Sequence, residues 1–410
     1  MTTTINNEHN KLNVPNLRFP EFEGEWEKQK LCDISSIVGR IGFRGYTTND
    51  IVEKGMGAIA LSPTNIVNNQ LTYDKDNTYI SMSKYEESPE IMIKRGDVIF
   101  VKTGSTVGKV AYVDKMICKT TLNPQVVVLK DIKCDNYILS VIMSTRNFQN
   151  KIQRITVGGA VPTLSQVAMG NIFISLPAAK EQEKISKFIS LLDERITTQN
   201  KIIEDLKKLK SAILEKHYKQ AEKQAAYIAD LGESFSVGNL AKDDLTDTGT
   251  PCVIYGELFT TYGEIISQIE NHTNKTDGMI LSKKGDLLFP SSTTVDAMSL
   301  IAPSVINIDG VILGGDMFGI HISSNFSAQY LSYYFNHIAK KQLAKFAKGS
   351  TIIHLHYTDI EKAKLLLPSS EEQNRMAKCL VTLDDKIKVE NTLLNLLNTQ
   401  KAHLLCQMFI

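Results

Sequence analysis

Apolar residues recur along this chain on two different periods, and each period appears twice. Between Ile189 and Ile213 the steps alternate between three and four. Ile189, Leu192, Ile196, Ile203, Leu206 and Ile213 form the series, and Gln199 and Lys210 fill its two polar gaps. Shifted by 191 residues, Leu380, Leu383, Ile387, Leu394, Leu397 and Leu404 repeat it, with Glu390 and Lys401 in the same two gaps. Such spacing over several heptads predicts a coiled-coil helix that requires a partner. Two amphipathic helices that agree in their exceptions as well as their rule indicate a duplication, and the simplest partner for each is the other. A helix from Lys180 to Tyr218 would be roughly 55–60 Å long at 1.5 Å per residue, and polar seam residues would fix its register.

The second period is that of strands. Segments 97–101 (DVIFV), 109–113 (KVAYV) and 125–129 (QVVVL) are short apolar runs bounded by Gly, Asp or Pro, as strands are. They belong to a unit that is also written twice. KRGDVIF at 94–100 returns as KKGDLLF at 283–289. An amphipathic stretch from Tyr137 to Ile155 returns from Tyr330 to Phe346. GGAVPTL at 158–164 returns as GSTIIHL at 349–355, and a run ending at Pro177 returns as one ending at Pro368. After each proline stands a helix start, AAKEQ at 178–182 and SSEEQ at 369–373. Ser369 and Ser370 followed by acidic residues are good N-terminal chemistry. The reading is an α+β chain of two tandem pseudo-repeated domains, each followed by a long helix. Its boundaries are a disordered tail 1–14, domain 1 at 15–177, a helix at 178–220, domain 2 at 221–368 and a helix at 369–410.

Composition narrows the class. Hydrophobic residues at 42% and charged residues at 22% describe a soluble globular chain, and no run of eighteen apolar residues is present to span a membrane. The polar start from Met1 to Lys11 is neither a secretory nor an amphipathic targeting segment, so a cytoplasmic location is expected. Six scattered cysteines with no CxxC pair suit a reducing compartment and argue against a zinc site. The net charge of +1 hides an uneven distribution: eleven Lys and Arg against four Asp from Ile91 to Gly170, and seven basic against twelve acidic residues from Glu21 to Glu90. A basic stretch of this kind could meet phosphate, although an ordinary solvated surface would have the same composition.

No complete catalytic motif emerges. The loop 104–110 (GSTVGKV) has three residues between its glycines and Val110 after the lysine. A nucleotide-binding phosphate loop needs four residues and a following Ser or Thr. The same backbone and Lys109 could still face a nucleic-acid phosphate. His354 and His356 could share one side of a strand, but no third metal ligand lies nearby. Asn123-Pro124-Gln125 lacks the second proline and the aromatic residue of an adenine-methyltransferase motif. Lys340, Lys341, Lys345 and Lys348 lie in an acid-free run before the turn at Gly349, as Arg146, Lys151 and Arg154 lie before Gly158. A basic helix end leading into a small polar turn suits a phosphate contact; complementing a helix dipole would use the same residues.

Taken together, these segments resemble the specificity subunits of type I restriction–modification systems. The opening PNLRFPEF at 15–22 with Trp26, KRGDVIF at 94–100, GSTVGKVAY at 104–112, the GGAVPTL turn and the proline-to-EQ helix start carry the likeness, which runs from Pro15 through essentially the whole chain. The resemblance implies two target-recognition domains on double-stranded DNA, each reading half of a bipartite site. It also implies that the two helices pack as an antiparallel coiled coil that sets the unread spacer. Two modification (methyltransferase) subunits and the restriction/translocase subunits are the implied partners. S-adenosylmethionine, ATP and Mg²⁺ are expected on those partners, with none bound by this chain, no metal and no catalysis of its own. Expected DNA contacts are Arg40, Arg44, Lys102, Ser105, Thr106, Lys109, Arg154 and Thr163 in the first domain, and Ser291, Thr293, Lys348, Ser350, Thr351 and His354 in the second. The second domain has SSTTVD at 291–296 in place of the lysine- and glycine-bearing first loop, so an asymmetric target is expected. The competing readings are a scaffold spacing two protein-binding modules and a stand-alone methyltransferase or nuclease.

Overall fold

The Gly-Asp pair that opens each repeat builds one and the same turn. Gly96 and Gly285 both adopt φ +94°, a region that costs glycine nothing. The carboxylates of Asp97 and Asp286 accept hydrogen bonds from the backbone N–H of Lys94 and Lys283, each at 2.8 Å. A buried strand follows in both cases, Val98–Val101 and Asp286–Pro290. The computed structural model describes residues 13–73 and 76–410. The chain divides into two units, one of residues up to 198 together with 393–410, the other of residues 199–392.

In the first unit a six-stranded sheet runs in the order Ser36–Gly39, Val126–Lys130, Val98–Val101, Val110–Tyr112, Gln70–Leu71, Ile66–Val67. A four-stranded sheet of Thr120–Leu122, Ala58–Leu61, Thr78–Ile80 and Ile51–Val52 lies against it. The run VIFV is apolar throughout because both of its faces are covered. Val98 and Phe100 pack with Ile138, Leu139 and Phe148 of the helices, whereas Ile99 and Val101 pack with Ile59, Leu61 and Leu122 of the second sheet. Alternation of side chains along a strand sorts one sequence run into two cores.

The second unit repeats the device. Its central sheet has the order Gly232–Ser236, Met317–Ile322, Asp286–Pro290, Ser304–Ile306, Ile265–Ile266. Leu287 and Phe289 face a core of Tyr330, Tyr333, Tyr334 and Phe335, while Leu288 faces Val253, Ile306 and Leu313. A second five-stranded sheet contains Thr250–Ile254 and Ile312–Gly314.

Two expectations are corrected. The stretch Tyr137–Ile155 is two helices, Asn136–Ser144 and Arg146–Ile155. Thr145 breaks it, because its hydroxyl donates to the Ile142 carbonyl and accepts from the N–H of Phe148, ending one helix and capping the next. Its counterpart likewise divides into Ala328–His337, Lys340–Leu343 and a 3₁₀ turn at Ala344–Phe346. Of the expected tail 1–14, residues 1–12 lie outside the described residues, and Asn13 is buried, with its carbonyl accepting from the N–H of Trp26 at 2.8 Å.

The long helices span Ala179–Gln220 and Ser370–Met408. A buried glutamine fastens the start of each. Gln182 donates to the Pro177 carbonyl at 2.8 Å and accepts from the N–H of Asp135 at 2.8 Å. Gln373 donates to the Pro368 carbonyl at 2.9 Å and accepts from the N–H of Ser327 at 3.0 Å. Asp135 and Ser327 are themselves the caps of Asn136–Ser144 and Ala328–His337.

The helices pack antiparallel, as the contacts within each unit show. In the first unit Ile185 and Ile189 share a core with Met408 and Phe409, and Asp193 holds both Lys401 and, at 2.7 Å, the hydroxyl of Tyr137. In the second, Gln199 donates to the Glu390 carbonyl at 3.1 Å, and Lys210 reaches Asp384 at 2.7 Å and Glu264 at 3.1 Å. Every residue of the heptad seam is buried or half-buried. The polar gaps therefore have partners: equivalent positions 199 and 390 bond each other, and each lysine finds the aspartate that is equivalent to its counterpart's.

Burial alone would push the Glu264 carboxyl up. His337, 2.8 Å away, together with Lys210, outweighs that and holds it at about 2. This stabilisation is complete above about pH 4.5, the ordinary carboxyl value, and is lost as pH falls towards about 2. Lys210→Met removes the ammonium that Glu264 and Asp384 share, leaving His337 alone beside Glu264, and is expected to cost about 3 kcal/mol. A fall in the denaturant midpoint of the chain at pH 7 measures it, and the variant's stability should depend less steeply on pH between those limits.

Candidate nucleic-acid interface

The turn that follows the helices is the same hairpin in both units. In the first, the N–H of Val157 donates to the Thr163 carbonyl at 3.0 Å, and the N–H of Thr163 returns a bond to the Val157 carbonyl at 2.7 Å. In the second, Lys348 and His354 exchange the same two bonds at 2.9 and 2.7 Å. Gly158 (φ +98°) and Gly349 (φ +118°) make the bend, and a side-chain carbon at either would stand 2.7 or 2.0 Å from the carbonyl oxygen of Val161 or Ile352.

Each hairpin is tied to the loop leaving the buried central strand. In the first unit the N–H of Leu164 donates to the Lys102 carbonyl at 2.8 Å, that of Gly104 to the Pro162 carbonyl at 2.9 Å, and Thr103 bridges Thr163. Gly108 fixes the far end of the loop. Its carbonyl accepts from the Gln149 amide at 2.8 Å, and a side-chain carbon there would stand 2.3 Å from the same amide's oxygen. In the second unit Ser292–Thr293 pairs with Ile353–His354 as a short antiparallel ladder, and the N–H of Leu355 donates to the Ser291 carbonyl at 2.9 Å.

Sequence positions about 60 apart are thereby brought onto one surface in each unit. Ser105, Thr106 and Lys109 line a cleft of about 280 Å³ with Ser62, Thr64, Thr103 and Gln125. Its lining, completed by Pro63 and Gly104, includes five hydroxyls, one side-chain amide and one ammonium, groups that can donate to phosphate oxygens or to base edges. The Lys109 amine lies 3.3 Å from the Ile66 carbonyl. Lys102, just after Val98–Val101, and Thr163, at the base of the hairpin, are half-buried, and Arg154 is exposed at the end of Arg146–Ile155. In the second unit Ser350 and Thr351 are exposed on the hairpin, while Thr293 and His354 are half-buried beside it. Lys348 is exposed and bonds Asp359, and with the backbone N–H of His356 it holds that carboxyl below its usual range.

Three expected contacts are placed elsewhere. Arg40 is buried and structural: its guanidinium donates to the Leu122 carbonyl at 2.8 Å, the Thr121 hydroxyl at 3.1 Å and the Arg44 carbonyl at 3.2 Å. Desolvation lowers its affinity for a proton, and no face is left for DNA. Arg44 is half-exposed but held by the Glu87 carbonyl at 3.2 Å and by Glu90 at 3.6 Å. Ser291 is buried, and its backbone bonds Asp316 and Leu355, so it supports the ladder rather than facing outward. The sequence reading missed Ser62 and Thr64. They reach the cleft through a capped turn at Pro63–Asn65 that lies some 40 residues before the loop it joins. Among the described residues no three His, Cys, Asp or Glu side chains converge on a metal position, and no helix is long and apolar enough to cross a membrane.

Comparison with known proteins agrees with the duplication. The model of the "Type I restriction modification DNA specificity domain" matches this chain twice, over residues 23–208 and 222–399. The type I restriction enzyme MjaVIII specificity subunit of Methanocaldococcus jannaschii is 24% identical over 327 residues, which are 73% of this chain and 75% of that protein. In fold, the chain is similar to the type I restriction–modification S subunit of M. genitalium, with a TM-score of 0.59 at 14% identity over 97% of this chain and 99% of that one. A second solved structure, from work on complex assembly and conformational transition of a type I restriction–modification system, gives a TM-score of 0.54 at 14% identity over 93% and 96% of the two chains. Two specificity domains in tandem, each closing on a long helix of an antiparallel pair, make this chain a member of the type I restriction–modification specificity-subunit family.

Proposed function

We propose that the chain is the DNA-recognition subunit of a type I restriction–modification complex, that each unit reads one half of a bipartite, asymmetric site, and that the paired helices set the unread spacer. The observation that carries this reading is the common frame with different fittings. Both units clamp a hairpin to the loop of a buried strand, yet the first presents Ser105, Thr106 and Lys109 on its loop and the second Thr293 on its loop with Ser350 and Thr351 on its hairpin. A constant frame with unlike polar loops suits two readers of unlike base sequences, since side-chain donors and acceptors in a groove are what distinguish bases.

In this reading the chain contributes recognition and no chemistry. Two modification subunits supply S-adenosylmethionine and the adenine methyltransferase site, and restriction/translocase subunits supply the ATP- and Mg²⁺-dependent steps. The match to a DNA specificity domain, and the likeness to a specificity subunit, support the recognition role in that division of labour.

Single-molecule methylation mapping of a host genome, with and without this chain beside its modification subunit, is expected to reveal one new bipartite methyladenine motif. No new motif alongside an active methyltransferase would favour a protein scaffold instead. Within the assembled complex, Arg154→Ala should weaken binding similarly on all DNA sequences and reduce the slope of log affinity against log salt by about 1. Thr293→Ala, by contrast, should relax the motif at one position of one half-site, which the same mapping would read.

A further inference from the structure

The tip of each hairpin carries a solvent-exposed aliphatic side chain. Val161 is 59% exposed and Ile352 is 49% exposed, and they occupy equivalent positions in the duplicated turn. Their neighbours have diverged: Gly159, Ala160, Pro162 and Thr163 correspond to Ser350, Thr351, Ile353 and His354. A branched aliphatic group stands at this exposed position in both copies of the turn, where burial on folding returns little for it. The tip is also rigid, closed by two backbone bonds, bent at a glycine and clamped to the central loop. Polar and basic groups flank it in the chain, exposed Arg154 at the end of the helix before one hairpin and exposed Lys348, Ser350 and Thr351 on the other.

On the reading that each unit binds half of the target, we propose that Val161 and Ile352 are equivalent apolar base contacts, each seated against the 5-methyl group of a thymine common to both half-sites. The physical reasons are shape and chemistry. The major groove admits a two-stranded ribbon, and the thymine methyl is the one apolar feature that a base pair displays there. Loops that differ between the units serve bases that differ, whereas a branched aliphatic side chain at the same position in both serves a base that is shared. Under that reading the half-sites necessarily have one pair in common, the A·T pair whose adenine is methylated, and its thymine is the assigned contact.

The test uses the complex of the full chain with its modification subunits, on the duplex identified by methylation mapping. Uracil replaces each thymine in turn. Loss of one methyl contact is expected to weaken wild-type binding about 4-fold, the equivalent of one buried carbon, at the thymine opposite the modified adenine in each half-site. Val161→Ala should abolish that sensitivity in one half-site and Ile352→Ala in the other, each leaving the opposite half unchanged. Val157→Ala serves as the control: Val157 is 69% exposed on the same hairpin, but its counterpart is Lys348, so the uracil effect should persist. A mapped motif with a flat uracil scan overturns this contact while leaving the recognition function standing. So does an uracil effect that both tip variants retain, or a base-step unstacking, seen by 2-aminopurine fluorescence, that the tip variants remove, since the tips would then be wedges. Absence of any motif overturns both.

Discussion

A single buried amide governs how each body is joined to its long helix. Gln182 and Gln373 each donate to the proline carbonyl that precedes the helix and accept from the cap of a helix in the globular body. Strand exit, helix start and body helix are thus fixed by one side chain that needs both a donor and an acceptor. Glutamate in its place would set a carboxylate against a carbonyl oxygen in a site with little access to water. The seam residues and the hairpin occupy fixed positions because this joint does.

The helices were legible in the sequence because heptad spacing has one physical interpretation, and the match of Gln199 with Glu390 and Lys210 with Lys401 marked the duplication. The explanation for those polar gaps was not legible. It depends on Asp193, Asp384 and Glu264, which lie off the seam or far away in sequence. The glycine turns were equally plain as positions, and their purpose emerged only when the hairpin was seen to bridge Thr103 in one unit and Thr293 in the other. The many strands of two or three residues, such as Ile51–Val52 and Ile265–Ile266, are too short for periodicity to register.

For the candidate interface, residue type was a fair guide on loops and a poor one beneath them. Ser105, Thr106 and Ser350 stand where small polar residues in a Gly-containing turn suggest. Arg40 and Ser291 have the same polarity but point inward, since a buried loop must satisfy its carbonyls and hydroxyls, and these side chains or their backbones do so. Charge without knowledge of burial cannot separate a phosphate contact from a buried strut.

The first unit closes on residues far apart in the order of synthesis. Trp26 meets Phe409 edge to face at 6.0 Å between ring centres, and Met408 and Phe409 share a core with Ile185 and Ile189. Residues 199–392, by contrast, contain the whole of the second unit. Chains are translated at roughly 5–20 residues per second, and domains ordinarily fold in the order in which they emerge. Here part of one core is completed late: Trp26, Ile185 and Ile189 meet Met408 and Phe409 only after residues 199–392, the whole of the second unit, have been made.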